Sequence, residues 1–401
     1  MTGRGEPPRD GRRNVSCRHH RAPYGTAGGV VSGKGNVVQA KQVVRLFAGM
    51  AAGSLVVALG ACGSAPSGTS STPKAAASGK KILACMVTDT GGIDDKSFNQ
   101  SAWGGLQAAQ KANPNITTTY VASTTETDYE PNLTNFTTHS PACNFILAVG
   151  GLMGAATDKV AKANTNTQFG IVDSTSDAPN IYAMQFDTAQ AAYLAGYLAA
   201  GMTKTGKVGT YGGLKIPPVT IFMDGFADGV AHYNQVKGKN VQVLGWSKSA
   251  QNGLFANSFS DQAKGKQLGE QLNSQGADII LPVAGGVGLG TAADAQSSGK
   301  FLVIWVDQDG CVSAAQYCSV FLTTVQKNIS AAVQDAAQKV SLGTLSGRGT
   351  IGTLANNGVQ LAPYHDFASK IPQSLQSEVD QLKQQIISGQ IKVTSPAQPT
   401  Q

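Results

Sequence analysis

The stretch KILACMVTDTGGIDDKSFNQSAWGGLQAAQKA, residues 81–112, sets the reading of the whole chain. After Lys81, the six residues ILACMV form an unbroken apolar run, the pattern of a strand covered on both faces. From Ser97 to Ala112 the apolar residues fall at helical spacing instead. Between the two lies a turn with Gly91 and Gly92 and three aspartates, Asp89, Asp94 and Asp95. Strand, glycine-bearing turn and helix make the first half of a βα unit. Ligands of open α/β sheets bind outside the carboxyl ends of the strands. The stretch that sets the fold class is therefore also the first place to look for a site.

The alternation recurs along the chain. NFILAVG (144–150), FGIVD (169–173), IYAMQF (181–186), GKVGTYG (206–212), NVQVLGWS (240–247), ADIILPVA (277–284) and FLVIWVD (301–307) read as strands. Helical patterns at 156–164, 188–202, 219–233, 262–276 and 290–298 separate them. One series closes and a second opens between residues 187 and 206. The pattern implies an α/β protein of two doubly wound parallel-sheet lobes. Asp89, Gly150, Asp173, Gly286 and Asp307 all fall at or just beyond strand ends.

The chain has 401 residues, 41% of them hydrophobic and 14% charged, with a formal net charge of +7. That charge does not point to nucleic acid. Residues 1–61 hold nine Lys and Arg and two acids; 31 less nine and 24 less two leave 22 of each sign from Cys62 onward. The basic segment reads as a leader that is removed. Lys41 and Arg45 precede the apolar run LFAGMAAGSLVVALGA (46–61), which is short for a bilayer span. It runs into LGAC (59–62), which is similar to a bacterial lipobox, with Cys62 as the lipidated first mature residue. Residues 1–36 fit no signal peptide, and Val37 or Val38 is an alternative start. GSAPSGTSSTPKAAASGK (63–80) has the composition of a flexible tether. Four further cysteines, Cys85, Cys143, Cys311 and Cys318, suit two disulfides in an exported protein. Cys311 and Cys318 lie close enough for a local staple, and Cys85 and Cys143 sit in or beside two strands. With no C-x-x-C and no neighbouring His, a metal is not expected.

Catalysis finds little support. Asp94 and Asp95 are adjacent and lack a nearby His, Lys or Cys to set them apart as acid and base. A calcium loop needs alternating oxygens and a closing Glu, and Lys96, Phe98 and Trp103 interrupt the pattern. AGGVGLGTAADAQSSGKFLVIWVD (284–307) approaches a dinucleotide fingerprint, but Thr291 stands at its third glycine position. What remains is a cradle. Asp89 offers a carboxylate to ligand N–H or O–H groups, and Phe98 offers a stacking face.

Five segments taken together resemble the basic-membrane-protein family of ABC-transporter substrate-binding lipoproteins. They are TDTGGIDDKSFNQSAWGGL (88–106), GGLKIPPVTIFMDGFADGV (212–230), SFSDQAKGKQL (258–268), GADIILPVAGGVGLGT (276–291) and VDQD (306–309). The best understood members are purine nucleoside receptors. The resemblance implies a periplasmic-binding-protein type I fold, with two lobes, a hinge of three crossings and a ligand in the cleft. It implies a first lobe of 81–187 with about 308–335, and a second of 188–307 with about 336–395. It places Phe98 on one face of the base and either Phe255 or Phe259 on the other. Asp89, Asp173 and Asp307 correspond to the acids that bind base and ribose, and Asn99 joins the site while shaping its loop. Gly286 or Gly288 supplies a backbone contact, and Lys327 a lysine after the last sheet strand. Against the family pattern, VDQDGCVSAAQYCSV (306–320) carries an inserted cysteine pair. The expected protein is a monomeric, lipid-anchored receptor on the extracytoplasmic face. It hands a nucleoside to ABC permease subunits and carries no cofactor. The alternatives are an exported nucleoside or sugar hydrolase and a ligand-sensing lipoprotein without a transporter.

Overall fold

The computed structural model describes residues 79–400. The leader, Cys62 and most of the tether lie outside the described residues. The tether's last two residues already belong to the body: Lys80 N–H donates to the Ser341 carbonyl (2.7 Å) and Asn115 Nδ2 to that of Gly79 (2.9 Å).

A first series runs β1 (Ile82–Thr88), α1 (Phe98–Ala112), β2 (Ile116–Val121), α2 (Tyr129–Thr137), β3 (Phe145–Val149), α3 (Gly154–Ala163), β4 (Gln168–Val172), β5 (Ile181–Phe186). A second runs α4 (Thr188–Met202), β6 (Lys207–Gly212), α5 (Pro217–Lys237), β7 (Gln242–Leu244), β8 (Trp246–Ser247), β9 (Asn252–Gly253) and α6 (Gln262–Ser274). It continues through β10 (Ile279–Val283), α7 (Gly288–Ser298), β11 (Leu302–Asp307), α8 (Gly310–Ser313) and β12 (Phe321–Lys327). Then come α9 (Ile329–Leu342), β13 (Gly349–Gly352), β14 (Val359–Leu361) and α10 (Gln373–Ile387). No helix among the described residues is long and apolar enough to cross a membrane.

The strands form two six-stranded sheets, β13-β5-β4-β3-β1-β2 and β14-β12-β11-β10-β6-β7, plus the small β8-β9 pair. The first is parallel throughout; in the second only β14 runs antiparallel, beside β12. Without β13 and β14, the two sheets repeat one winding, so β4 and β11 occupy the same place in each. The all-apolar strands earn their burial on both faces: every residue of β3 and β10 is buried.

The chain passes between lobes at Phe186–Thr188, at Lys327–Ile329 and between β13 and β14. This differs from the sequence division. Residues 321–327 were expected in the first lobe, but β12 pairs with β11 in the second sheet. Residues 336–395 were expected in the second; β14 and α10 do lie there, but α9 packs along α1 and β13 pairs with β5. An apolar strand carries no local mark of the sheet it joins; the ladder decides. After α10 ends at Ile387 the chain continues as an irregular tail.

Small residues let the second lobe pack tightly. A Cβ on Gly229 of α5 would lie 2.0 Å from the Tyr193 carbonyl of α4, so the two backbones touch there. The four apolar residues of α10 at helical spacing, Leu375, Val379, Leu382 and Ile386, are its buried face.

Both disulfides are formed. Cys85 of β1 bonds Cys143, which leads into the adjacent β3, and Cys311 bonds Cys318 across α8. The first closes 58 residues and the second seven. Loop-closure entropy gives about 4 kcal/mol for the longer loop and about 2 kcal/mol for the shorter. Cys85→Ala with Cys143→Ala should therefore lower the denaturant midpoint clearly more than Cys311→Ser with Cys318→Ser. Equal losses, or a larger loss for the short loop, would contradict this assignment.

Candidate functional site

The carboxyl ends of both sheets face one cleft, whose cavity is lined from both lobes. Asp89, Phe98, Asn99 and Asp173 line it from the first lobe, and Phe222, Phe259, Asp307 and Lys327 from the second.

Asp89 follows β1, and its N–H donates to Val149 of β3 (3.1 Å). Its Oδ1 accepts from Gly91 N–H (2.9 Å) and Asn99 Nδ2 (2.7 Å). Gly150 allows this placement: its φ is +131°, and a Cβ there would meet Asp89 Oδ2 at 2.8 Å. Burial pushes the Asp89 carboxyl up to about 6, against the pull of its Asn99 and Gly91 bonds.

Asp95 has another task. Its carboxylate accepts from the N–H groups of Ser97 (3.1 Å), Asn99 (2.7 Å) and Gln100 (3.1 Å), so it caps α1. Burial pushes this carboxyl up to about 7 despite those bonds. Asp94 is exposed and takes no part in the cap. Asn99 bridges the two jobs, with its Nδ2 on Asp89 and, at 3.4 Å, on Asp95. Its Oδ1 is buried with no hydrogen-bond partner among the described residues.

The opposite wall is an ionic cluster. Lys327 pairs with Asp173 of the first lobe and lies 3.9 Å from Asp307 Oδ1. Its ammonium stands 4.8 Å from the centre of the Phe98 ring. Asp173 and Asp307 end β4 and β11, the matching strands, and both have left-handed backbones, with φ of +64° and +66°. Such conformations cost a non-glycine residue about 1–3 kcal/mol and gather at functional sites. Burial raises both carboxyls above the ordinary range, while Lys327 pulls them down.

The lobes are in direct contact across the cleft. Ser97 Oγ donates to Asp307 Oδ2 (2.6 Å), and Trp305 Nε1 donates to the Lys96 carbonyl (3.2 Å). Sequence reasoning missed Ser97 and Trp305. Each looks like a helix start or a core residue until the second lobe is brought against the first.

The structure separates the two phenylalanines left open by the sequence. Phe259 lines the cavity, whereas Phe255 stands edge-on to Trp246, with ring centres 6.0 Å apart, and packs on Gly212. The glycine turn reaches the cavity one residue early, at Gly285. Gly286 sits beneath the Phe259 carbonyl, and a Cβ on Gly288 would come 2.8 Å from the Trp305 ring. Both shape the turn rather than line the cavity. Asp309, Cys311 and His365 also converge, but the Cys311 sulfur is taken by its disulfide, leaving His365 Nε2 on Asp309 Oδ2 at 2.8 Å.

Two lobes of one winding, three crossings and a cavity at the strand ends that sets buried acids among apolar side chains define a two-lobed solute-binding protein. The chain belongs to the Bmp family of ABC transporter substrate-binding proteins, described as PnrA-like, whose match covers residues 82–396. It is 36% identical to the CD4+ T-cell-stimulating antigen of Listeria monocytogenes over 84% of this chain and 94% of that protein. It is 32% identical to the ABC transporter nucleoside-binding protein BmpA of Lactococcus lactis, over 88% and 99%. Among solved structures, an ABC transporter solute-binding protein from Aeropyrum pernix superposes with a TM-score of 0.70 at 24% identity. That match covers 79% of this chain and 94% of the other, and the shared architecture is the periplasmic-binding-protein type I fold.

Asp89 yields a prediction with a defined sign. Its carboxyl sits at about 6 when folded against 3.8 ordinarily. Between those values the folded state binds more protons than the unfolded one, so this group's contribution to stability falls as pH rises through the window. Asp89→Asn should therefore stabilise the ligand-free protein at pH 7.5, by up to about 3 kcal/mol. The gain should vanish near pH 4. Denaturant titrations at both pH values check it; a variant less stable than the parent at pH 7.5 would overturn it.

Proposed function

We propose that this chain is the lipid-anchored receptor of an ABC importer and that it captures a purine nucleoside in the cleft and releases it unaltered. One observation carries the reading: Phe98 and Phe259, flat apolar faces from different lobes, line a cavity together with the acceptors of Asp89, Asn99, Asp173 and Asp307. The base lies between the rings and gives its N–H groups to Asp89 and to the unpartnered Asn99 Oδ1. The ribose hydroxyls donate to Asp173 and Asp307, and Lys327 donates to a sugar oxygen. Three buried carboxylates against one lysine repel a phosphate, so the nucleoside is bound and its monophosphate is not. The name of the Lactococcus lactis relative, a nucleoside-binding protein, agrees with this. The receptor acts as a monomer outside the cytoplasm and docks on permease subunits. Residues such as Asp94 and Asp95, which sequence alone could assign to chemistry, have solvated or structural tasks.

Calorimetric titration with adenosine, guanosine, inosine, cytidine and guanosine monophosphate tests the reading. The purine nucleosides should bind most tightly, be recovered intact, and outcompete the monophosphate. Phe98→Ala removes a stacking face worth about 1–3 kcal/mol, so the dissociation constant should rise roughly tenfold to a hundredfold. Asp95→Ala should lower the melting temperature and weaken binding only indirectly. A folded parent that binds none of the four nucleosides would refute the ligand assignment.

The anchor has its own test. Cys62→Ala should leave an uncleaved or released form. Undiminished membrane retention of the variant would contradict lipidation at this residue.

A further inference from the structure

Beyond α10 the chain turns back across the hinge, and its contacts are specific at each step. Val393 is buried, and Ile391 and Ala397 pack against the core. The tail is first fastened to the second lobe. Lys248 Nζ donates to the Thr394 carbonyl, and Ser395 Oγ donates to Asp224 Oδ2 (2.6 Å). Asp224 on α5 is fully buried and already receives Trp246 Nε1 (3.0 Å) and Gln251 Nε2 (2.9 Å) on its other oxygen. This end is therefore held by a rigid group.

The tail next reaches the pivot. Gln398 Nε2 donates to Asp187 Oδ2 at 2.8 Å. Asp187 stands in the first crossing between lobes, and its N–H donates to Gly352, where the third crossing begins (2.8 Å). Its Oδ2 also accepts from Gln190 Nε2 (2.8 Å), whose Oε1 accepts from Leu354 N–H (2.9 Å). Gln398 thus grips the acid that joins two of the three crossings. One step on, Gln185 Nε2 of β5, in the first sheet, donates to the Thr400 carbonyl (3.3 Å).

We propose that residues 393–400 form a strap across the hinge that favours the closed arrangement of the lobes. The strap begins on α5 of the second lobe, crosses the pivot and ends on β5 of the first. Rotation of the lobes changes the path between those elements, so opening strains or breaks the Gln398 and Gln185 bonds. They are made here with the cleft closed through Ser97–Asp307 and Trp305–Lys96, so they count toward the closed side. One net hydrogen bond shifts a two-state ratio about fivefold.

Ser395→Ala removes the bond to Asp224 at the second-lobe end, where Lys248 and the link to α10 remain, Gln398→Ala removes the grip on the pivot, and the double variant removes both. Small-angle scattering of the ligand-free mature protein reports opening. Stopped-flow dissociation of whichever nucleoside binds in calorimetry reports the closed complex; only this arm rests on the nucleoside reading. Each single variant should expand the ligand-free protein and raise the dissociation rate about fivefold. The double variant should open at least as far as either single, because the bonds act in series on one segment. Additive losses of melting temperature, with scattering and dissociation as in the parent, would overturn the proposal and leave the tail as packing for the second lobe. Should no nucleoside bind, the scattering arm still decides: unchanged dimensions in Gln398→Ala reject the strap.

Discussion

A single buried ammonium organises the cleft. The Lys327 side chain is 3% exposed, and the rings of Phe98, Phe186 and Phe222 surround it at 4.8, 5.5 and 5.7 Å. A cation so placed is tolerated only with charged partners, and removing one partner of a buried pair costs about 3–5 kcal/mol. Its partners come from both lobes: Asp173 from the first and Asp307 from the second. Lys327 is also the last residue of β12, one step before the chain crosses between lobes. The charge that most needs neutralising therefore sits at the pivot, and the relative position of the lobes determines how well it is neutralised.

The remaining electrostatics follow from an excess of acid. Asp89, Asp173 and Asp307 share the cavity with this one lysine, and burial raises all three carboxyls. Such a cavity is poorly satisfied by itself and well satisfied by a neutral molecule rich in N–H and O–H donors. Asp95 shows the contrast within one loop. Six residues after Asp89 and equally hidden, it commits both oxygens to the first turn of α1. Two buried acids of like pKa direction thus differ in what they hold: backbone N–H groups take both oxygens of Asp95, whereas Gly91 and Asn99 take only Oδ1 of Asp89.

Most of the fold could be read from local pattern. The continuous apolar runs became β1, β3, β4, β5, β10 and β11 within a residue or so of their expected ends, and the helix from Ser97 begins at Phe98. β2, with the half-exposed sequence ITTTYV at a sheet edge, lacks that apolar signature. The strands β13 and β14 are four and three residues long and too short to show any period. The lobe of β12 was misread because pairing is a non-local fact. At the site, strand-end acids were legible, since any strand end in an open α/β sheet points at the cleft. The choice between Phe255 and Phe259 was not. Four residues apart in an irregular segment, they differ only in that Phe255 is held by Trp246 and Gly212 while Phe259 is left facing the cavity.

The first turn of α1 ties recognition to closure. Four consecutive residues present four different groups. The Lys96 carbonyl receives Trp305, the Ser97 hydroxyl grips Asp307, the Phe98 ring walls the cavity, and the Asn99 amide holds Asp89. All four are set by the N–H bonds to Asp95, so none can shift without the others. Asp307 lies at the point where the two functions meet, since one of its oxygens takes Ser97 and the other faces Lys327. A ligand that donates to Asp307 therefore acts on a carboxylate oriented by the opposite lobe. That carboxylate is held in orientation when Ser97 is in place, which requires the lobes to be shut. Binding and closing then draw on the same hydrogen bonds, and a solute that fits the first lobe alone gains none of the energy held in the second.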